Sequence, residues 1–164
     1  MATTAVTVDE YLRTSFEDGD REYVDGEILE RNLGENGHAR LQTKLSSYLL
    51  VHYPQYWVAV EMRVQVRATR FRVPDITVLR TETWEPAIIT EPPHVVVELL
   101  SPDDRAADIQ KKIAEYLSFG VPYVWVIDPK TRAAWVWTSE GARTVTDGVL
   151  RAFDPDIEVP LAAL

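Results

Sequence analysis

An apolar run, Val95, Val96, Val97, Leu99 and Leu100, is broken only by Glu98. β-Branched residues in such a block, opened by Pro92-Pro93 and closed by Ser101-Pro102, read as a strand buried on both faces. An ionised carboxylate inside it is costly unless something compensates. Glu98 is therefore protonated, paired or holding a metal. Ser101-Pro102-Asp103-Asp104 ends the strand and is expected to cap a helix from about Ala106 to Phe119, stopped by Gly120 with Pro122 beyond. A second apolar run, Tyr123 to Ile127, follows at once. The spacing predicts a strand-helix-strand crossover whose first strand carries the buried charge.

The chain of 164 residues suits one domain, 1–164, and 46% hydrophobic content supports a core for it. No apolar run approaches a membrane span. The N-terminus has neither the basic region nor the long apolar stretch of a secretory signal. With no cysteine there is no disulfide framework and no thiolate metal site. A cytoplasmic location is the simplest expectation. The formal charge of -9 argues against generic affinity for nucleic acid. The distribution is uneven, however. Asp9 to Glu35 holds ten acidic and three basic residues, whereas Trp57 to Arg72 carries Arg63, Arg67, Arg70 and Arg72 against Glu61 alone. A local basic edge that touches phosphates is one reading of these arginines; a solvated strand face is the other.

Thr7 and Glu10 match a capping box opening a short helix to about Thr14. Asp25-Gly26, between apolar flanks, signals a two-residue hairpin. Asn32 to Gly37 reads as a loop, and His38 to about Tyr53 as a helix with Leu41, Leu45, Tyr48, Leu49 and His52 recurring at three and four. Trp57 to Val66 alternates as one half-buried strand. Val73 to Leu79 reads as its antiparallel neighbour through Ala68-Thr69. Ala133 to Thr138 is a further strand. Asp147-Gly148 reads as a hairpin turn between Arg143–Val145 and Val149–Ala152.

Asp75 and Glu98 fall on consecutive predicted strands. If these are neighbours, two carboxylates share a partly buried cleft and repel each other, and a hard divalent cation removes the conflict. Such an ion can also activate water against a phosphate. The plainer alternative is that Asp75 caps a turn and Glu98 pairs with a basic core residue.

Pro74-Asp75 followed by Glu98-Leu99-Leu100 resembles the PD-(D/E)XK nuclease signature. The ordered set is similar, over nearly the whole chain, to the Uma family of bacterial restriction-endonuclease-like proteins. It comprises Tyr23-Val24-Asp25-Gly26-Glu27, Arg72-Val73-Pro74-Asp75, Pro92-Pro93, Val97 to Pro102, Asp108 with Lys112 and Tyr116, and Gly120-Val121-Pro122 through Trp125 to Asp128-Pro129. The resemblance implies an α/β restriction-endonuclease-like fold, a mixed central β-sheet flanked by α-helices. It implies an endonuclease cleaving nucleic acid, DNA first, with Mg²⁺ (or Mn²⁺). Asp75 and Glu98 would hold the ion with the Leu99 carbonyl. Glu22 resembles the extra acidic residue that some nucleases of this fold bring from an early helix; a solvated charge near the hairpin is the other reading. Two departures stand out. Leu100 occupies the lysine position of the general signature, and Val124 stands where the family often has an aromatic residue.

The resemblance assigns the missing lysine to the helix. There, Lys112 lies about 85° from the centre of the apolar face and Lys111 about 175° away, so Lys112 is the candidate, with Asp108 one turn earlier to orient it; a plain surface ion pair of Asp108 with Lys112 is the other reading. His38 reads as a helix-terminal surface residue, His52 and His94 have no partner signal, and Trp125, Trp135 and Trp137 read as core or interface ahead of a base-stacking platform. A homodimer is expected, since sheet edges need covering. A silent binding module of the same fold, and a carboxylate-pair hydrolase of another substrate such as a glycosidase, are the competing readings.

Overall fold

The backbone seen in a computed structural model, which describes residues 5–32 and 34–164, is organised on one six-stranded mixed sheet. Helix α1 (Val8–Arg13) opens with the full capping box: Thr7 Oγ1 accepts from the Glu10 N–H and Glu10 accepts from the Thr7 N–H. Strands β1 (Glu22–Val24) and β2 (Glu27–Leu29) form the expected hairpin. Asp25 and Gly26 both take positive φ, 49° and 101°, as a tight primed turn requires. A Cβ on Gly26 would also come within 2.9 Å of the Ala5 side chain. Helix α2 (Asn36–His52) starts two residues before the expected His38 and buries Leu41, Leu45 and Leu49. Within the loop before it, Leu33 lies outside the described residues.

The alternating stretch Trp57–Val66 is two strands rather than one. Strand β3 (Trp57–Val60) belongs to the six-stranded sheet and β4 (Val64–Arg67) to a four-stranded one. The chain swings between them at Glu61, φ 51°. Arg63 secures the break: its guanidinium is 2.6 Å from the Asp20 carboxylate and lies over the Tyr11 ring. Alternation reports the pleat and is blind to a change of sheet. The following segment divides in step at Pro74-Asp75. Strand β5 (Arg70–Arg72) returns along β4 through the Ala68-Thr69 turn, while β6 (Ile76–Leu79) pairs with β3. Proline has no N–H for a ladder, so the split falls where pairing is weakest.

Strand β7 (Val95–Leu99), helix α3 (Ala106–Phe119) and strand β8 (Tyr123–Ile127) form the crossover, with β7 and β8 parallel. Gly120 ends α3 in the left-handed region, φ 112°. The Ser101–Asp104 turn does not cap α3. Arg105 is the cap position, and the Asp104 carboxylate accepts from the Ser101 N–H and the Asn32 amide instead.

Strands β9 (Ala134–Thr138) and β10 (Gly141–Thr144) extend the sheet to the order β10-β9-β8-β7-β6-β3. Asp147-Gly148 does not join paired strands. β10 lies on β9, and β11 (Val149–Ala152) pairs with β12 (Ile157–Pro160) in a separate ribbon. Leu150 and Ala152 gain more by burial beneath the main sheet than by pairing with the wholly exposed β10.

The ribbon and α2 cover one face of the sheet, over Val95, Val97, Trp125 and Ile127. Helix α3 covers the other, setting Ile113 and Tyr116 on Val96, Val124 and Val126. The four-stranded antiparallel sheet β2-β1-β5-β4 carries its own cluster, Tyr11, Tyr23 and Phe71. All five residues of β7 are buried, Glu98 included.

Candidate active site

The register that pairs Ile76 with Val97 sets Asp75 opposite Glu98 one step further on. Here the ladder ends, because a side chain replaces a backbone acceptor: Asp75 Oδ2 takes the Leu99 N–H at 2.7 Å. Asp75 Oδ1 lies 3.2 Å from both Arg31 Nη2 and His38 Nε2. Glu98 Oε1 accepts from the Tyr116 hydroxyl at 2.6 Å. Strand β1 brings Glu22 alongside, where Lys112 Nζ approaches Oε1 at 3.0 Å and Arg72 donates to Oε2 at 2.8 Å. Arg72 also donates to Glu115 of α3 at 2.6 Å, and Arg70 reaches the second Glu115 oxygen. Glu22, Asp75, Glu98, Leu99 and Lys112 all line one cavity of about 490 Å³ where the two sheets meet α2 and α3.

Burial pushes the Glu98 carboxyl up to about 7, with the Lys112 charge acting against it and Asp75 and Glu22 reinforcing it. Desolvation would raise Glu22 as well, but Lys112 and Arg72 outweigh it and hold that carboxyl below its ordinary value. Lys112 is desolvated too, yet Glu98 and Glu22 keep its ammonium more strongly protonated than in water. Tyr116 is raised well above a free phenol by burial and by Glu98, so its hydroxyl stays a donor. The hydrogen bond to Asp75 raises His38.

The five residues named from sequence therefore converge. Lys112 is half-buried on the flank facing the carboxylates, whereas Lys111 is exposed at the cavity rim. The expected Asp108–Lys112 pair does not form, because the ammonium takes Glu22 as its partner. Among the described residues Asp108 makes no ion pair. The buried carboxylate attracts the ammonium through a lower dielectric than the exposed Asp108 can.

The expected basic edge is largely internal. Arg63 is bound by Asp20, Arg70 by Asp25 and Glu115, and Arg72 by Glu22 and Glu115; Arg67 alone of the four is exposed. His38 is not a surface residue: its side chain is 11% exposed and faces Asp75. Its position in the first turn of α2, before a segment that leads back to the sheet, was the available signal. Arg31 sits in irregular chain with no periodic pattern, and nothing in the sequence marks it. His52 bonds its own helix and His94 faces Pro155, both outside the cavity.

A mixed sheet with a parallel crossover, flanked by helices and notched at β6–β7, is the restriction-endonuclease-like fold. The chain matches the Uma2 family model, described as "Putative restriction endonuclease", over residues 8–161, and it belongs to that family. A crystal structure described as "a putative nuclease belonging to DUF820" from Anabaena variabilis ATCC 29413 has the same fold. Its TM-score is 0.74 at 22% sequence identity, covering 96% of this chain and 91% of that one. No match is found among curated proteins. Family and fold make this a nuclease-like protein. Among the described residues no helix is long and apolar enough to cross a membrane.

Proposed function

We propose that this protein is a metal-dependent endonuclease that hydrolyses phosphodiester bonds in nucleic acid, DNA in the first instance, in the cytoplasm and as a homodimer. The observation that carries the reading is the convergence of Asp75 and Glu98 on paired strands with a half-buried Lys112 in one cavity. Among the described residues no three His, Asp or Glu side chains form a ready metal cage. The donor set nevertheless fits Mg²⁺, which takes one or two carboxylates and completes its shell with water. Asp75, Glu98 and the Leu99 carbonyl would hold it, with Mn²⁺ as a substitute. Such an ion supplies an acidified water and charge stabilisation at phosphorus.

The chain's own groups do the rest. Lys112 neutralises a phosphate oxygen and orients the attacking water. Glu22 positions Lys112, and Arg72 keeps Glu22 ionised. The Tyr116 hydroxyl fixes the rotamer of Glu98. Arg31 and His38 balance the charge of Asp75 and lie where an incoming phosphate would meet them. The test is incubation of the purified protein with single- and double-stranded DNA and RNA plus Mg²⁺ or Mn²⁺, beside Asp75→Ala. Metal-dependent cleavage lost in the variant supports the reading; no cleavage of any substrate defeats it.

One observation favours a second reading. Arg31 and His38 already compensate Asp75 without a metal, as they would in a catalytically silent module that binds nucleic acid or protein. Divalent-metal binding separates the two, since a silent module has no need of it.

A further inference from the structure

We propose that the cavity lined by Trp135 and Trp137 is a nucleobase subsite, holding one unstacked base of the strand whose phosphate lies at Glu98 and Lys112. The inference rests on the nuclease reading for that phosphate, and on separate geometry for the base. A second cavity, of about 340 Å³, opens between α3 and the far side of the sheet. Ser101, Asp104 and Ile109 line both this cavity and the one that holds Glu98 and Lys112, so the two adjoin.

The register explains why two indoles are left there. Trp137 lies beside Val124 and Trp135 beside Val126, on the face that α3 covers. Helix α3 packs over β8. On the outer side, the neighbours across β10 are only Ala142 and Thr144, both exposed. Both tryptophans consequently remain half-buried. Trp84 and Trp125 donate their indole N–H to the carbonyls of Ile88 and Arg151. Among the described residues, Trp135 and Trp137 have no such acceptor. An aromatic surface with a free donor beside a phosphate-handling cleft suits a flat, neutral ring bearing its own acceptors.

The remaining wall favours a base over a second phosphate. Asp104 is a carboxylate, already committed to the Ser101 N–H and the Asn32 amide. It repels an anion but tolerates a neutral base. Ile113 and Val126 supply apolar floor, and Gln110 stands at the rim as a polar partner for a base edge. The basic groups belong to the adjoining cavity, where Lys111, Lys112 and Arg105 would meet the backbone.

The experiment follows the indole N–H resonances of ¹⁵N-labelled full-length protein in EDTA, titrated with a short single-stranded oligodeoxynucleotide and, separately, with deoxyadenosine monophosphate. The expected result is a saturable shift of the Trp135 and Trp137 signals, with Trp125 unmoved. Trp137→Leu should weaken oligonucleotide binding about 5- to 100-fold. Trp137→Phe, which keeps a ring and guards against a folding defect in the leucine variant, should retain most of the affinity. Unmoved indoles at saturating oligonucleotide, or equal affinity of wild type, Trp137→Phe and Trp137→Leu, would overturn the proposal. So would indole shifts that track protein concentration without ligand and persist in Ala142→Pro, which blocks pairing at the β10 edge, because these assign the indole face itself to a second copy of the chain. Absence of cleavage with the indole shifts intact removes the nuclease reading and leaves the base site standing. Cleavage with unmoved indoles does the reverse.

Discussion

Lys111 and Lys112 are neighbours in sequence but meet different surroundings. Lys112 is drawn between Glu22 and Glu98, and Lys111 stands in solvent. Lys112→Ala is expected to cut cleavage by about 10²–10³-fold, the scale of losing one positioned charge donor at a transition state, while retaining the fold and metal binding. Lys111→Ala should stay within about twofold of wild type, as expected for a surface change away from the chemistry. A dead Lys111→Ala, or two unimpaired variants, would refute the assignment. Glu98 supplies a second test. Calorimetric titration with Mn²⁺ should reveal one site that Glu98→Ala abolishes, and unchanged binding in that variant would remove Glu98 from the metal site. Both lysines were visible as candidates in the sequence. The partner of Lys112 was not, since Glu22 lies far away along the chain and only folding brings it near.

Helix α3 does more than cross over between parallel strands. Its Glu115 clamps Arg70 and Arg72, tying the helix to β5 and, through Arg72 and Glu22, to β1. Desolvation works to raise Glu22 and Glu115, but their arginine and lysine partners prevail and both carboxyls lie below the ordinary value of 4.5 when folded. The unfolded chain therefore binds more protons than the native one as pH falls below about 4.5. The stabilisation from these pairs is fully present above that pH and is lost as pH drops through the folded values. Glu115→Gln should destabilise the protein at pH 7 by about 1.5–3 kcal/mol. The difference should shrink on acidification, with the two stabilities converging once Glu115 of the wild type is protonated. Urea unfolding between pH 3 and pH 7 (about that range, set by the carboxylate values) checks it. A constant difference across the series would mean that Glu115 acts by packing and not by charge.

For the molecule as one body, the cavity that gathers Asp75, Glu98 and Lys112 exists because two sheets part at Glu61 and again at Pro74-Asp75, leaving a notch that α2 and α3 close. The six-stranded sheet ends on β10, whose four residues are all exposed, and Phe153 stands 47% exposed nearby on the face opposite the tryptophan cavity. An uncovered edge beside an apolar side chain invites pairing with a second copy. Light scattering at tens of micromolar should give twice the chain mass, and Ala142→Pro should return the monomer, because the Ala142 N–H faces away from β9 and proline removes that donor from the open edge. A monomeric wild type would rule the dimer out.

The amino-acid order was enough to set the elements whose signals are local. The capping box at Thr7, the Asp25-Gly26 turn, the Gly120 stop and the buried β7 run each depend on contacts within a few residues, so composition and spacing suffice. It also determined that Glu98 needs compensation, because burial of a charge is costly whatever surrounds it. The partners that compensate it are brought by folding. Sheet membership of β3 and β4, the fate of β10 and β11, the Glu22–Lys112 pair and the approach of Arg31 and His38 to Asp75 all join residues separated in the chain. The alternation of a strand fixes which side chains share a face and is indifferent to which strand lies beside it, so the choice of neighbour falls to packing and to the pairing of buried charge.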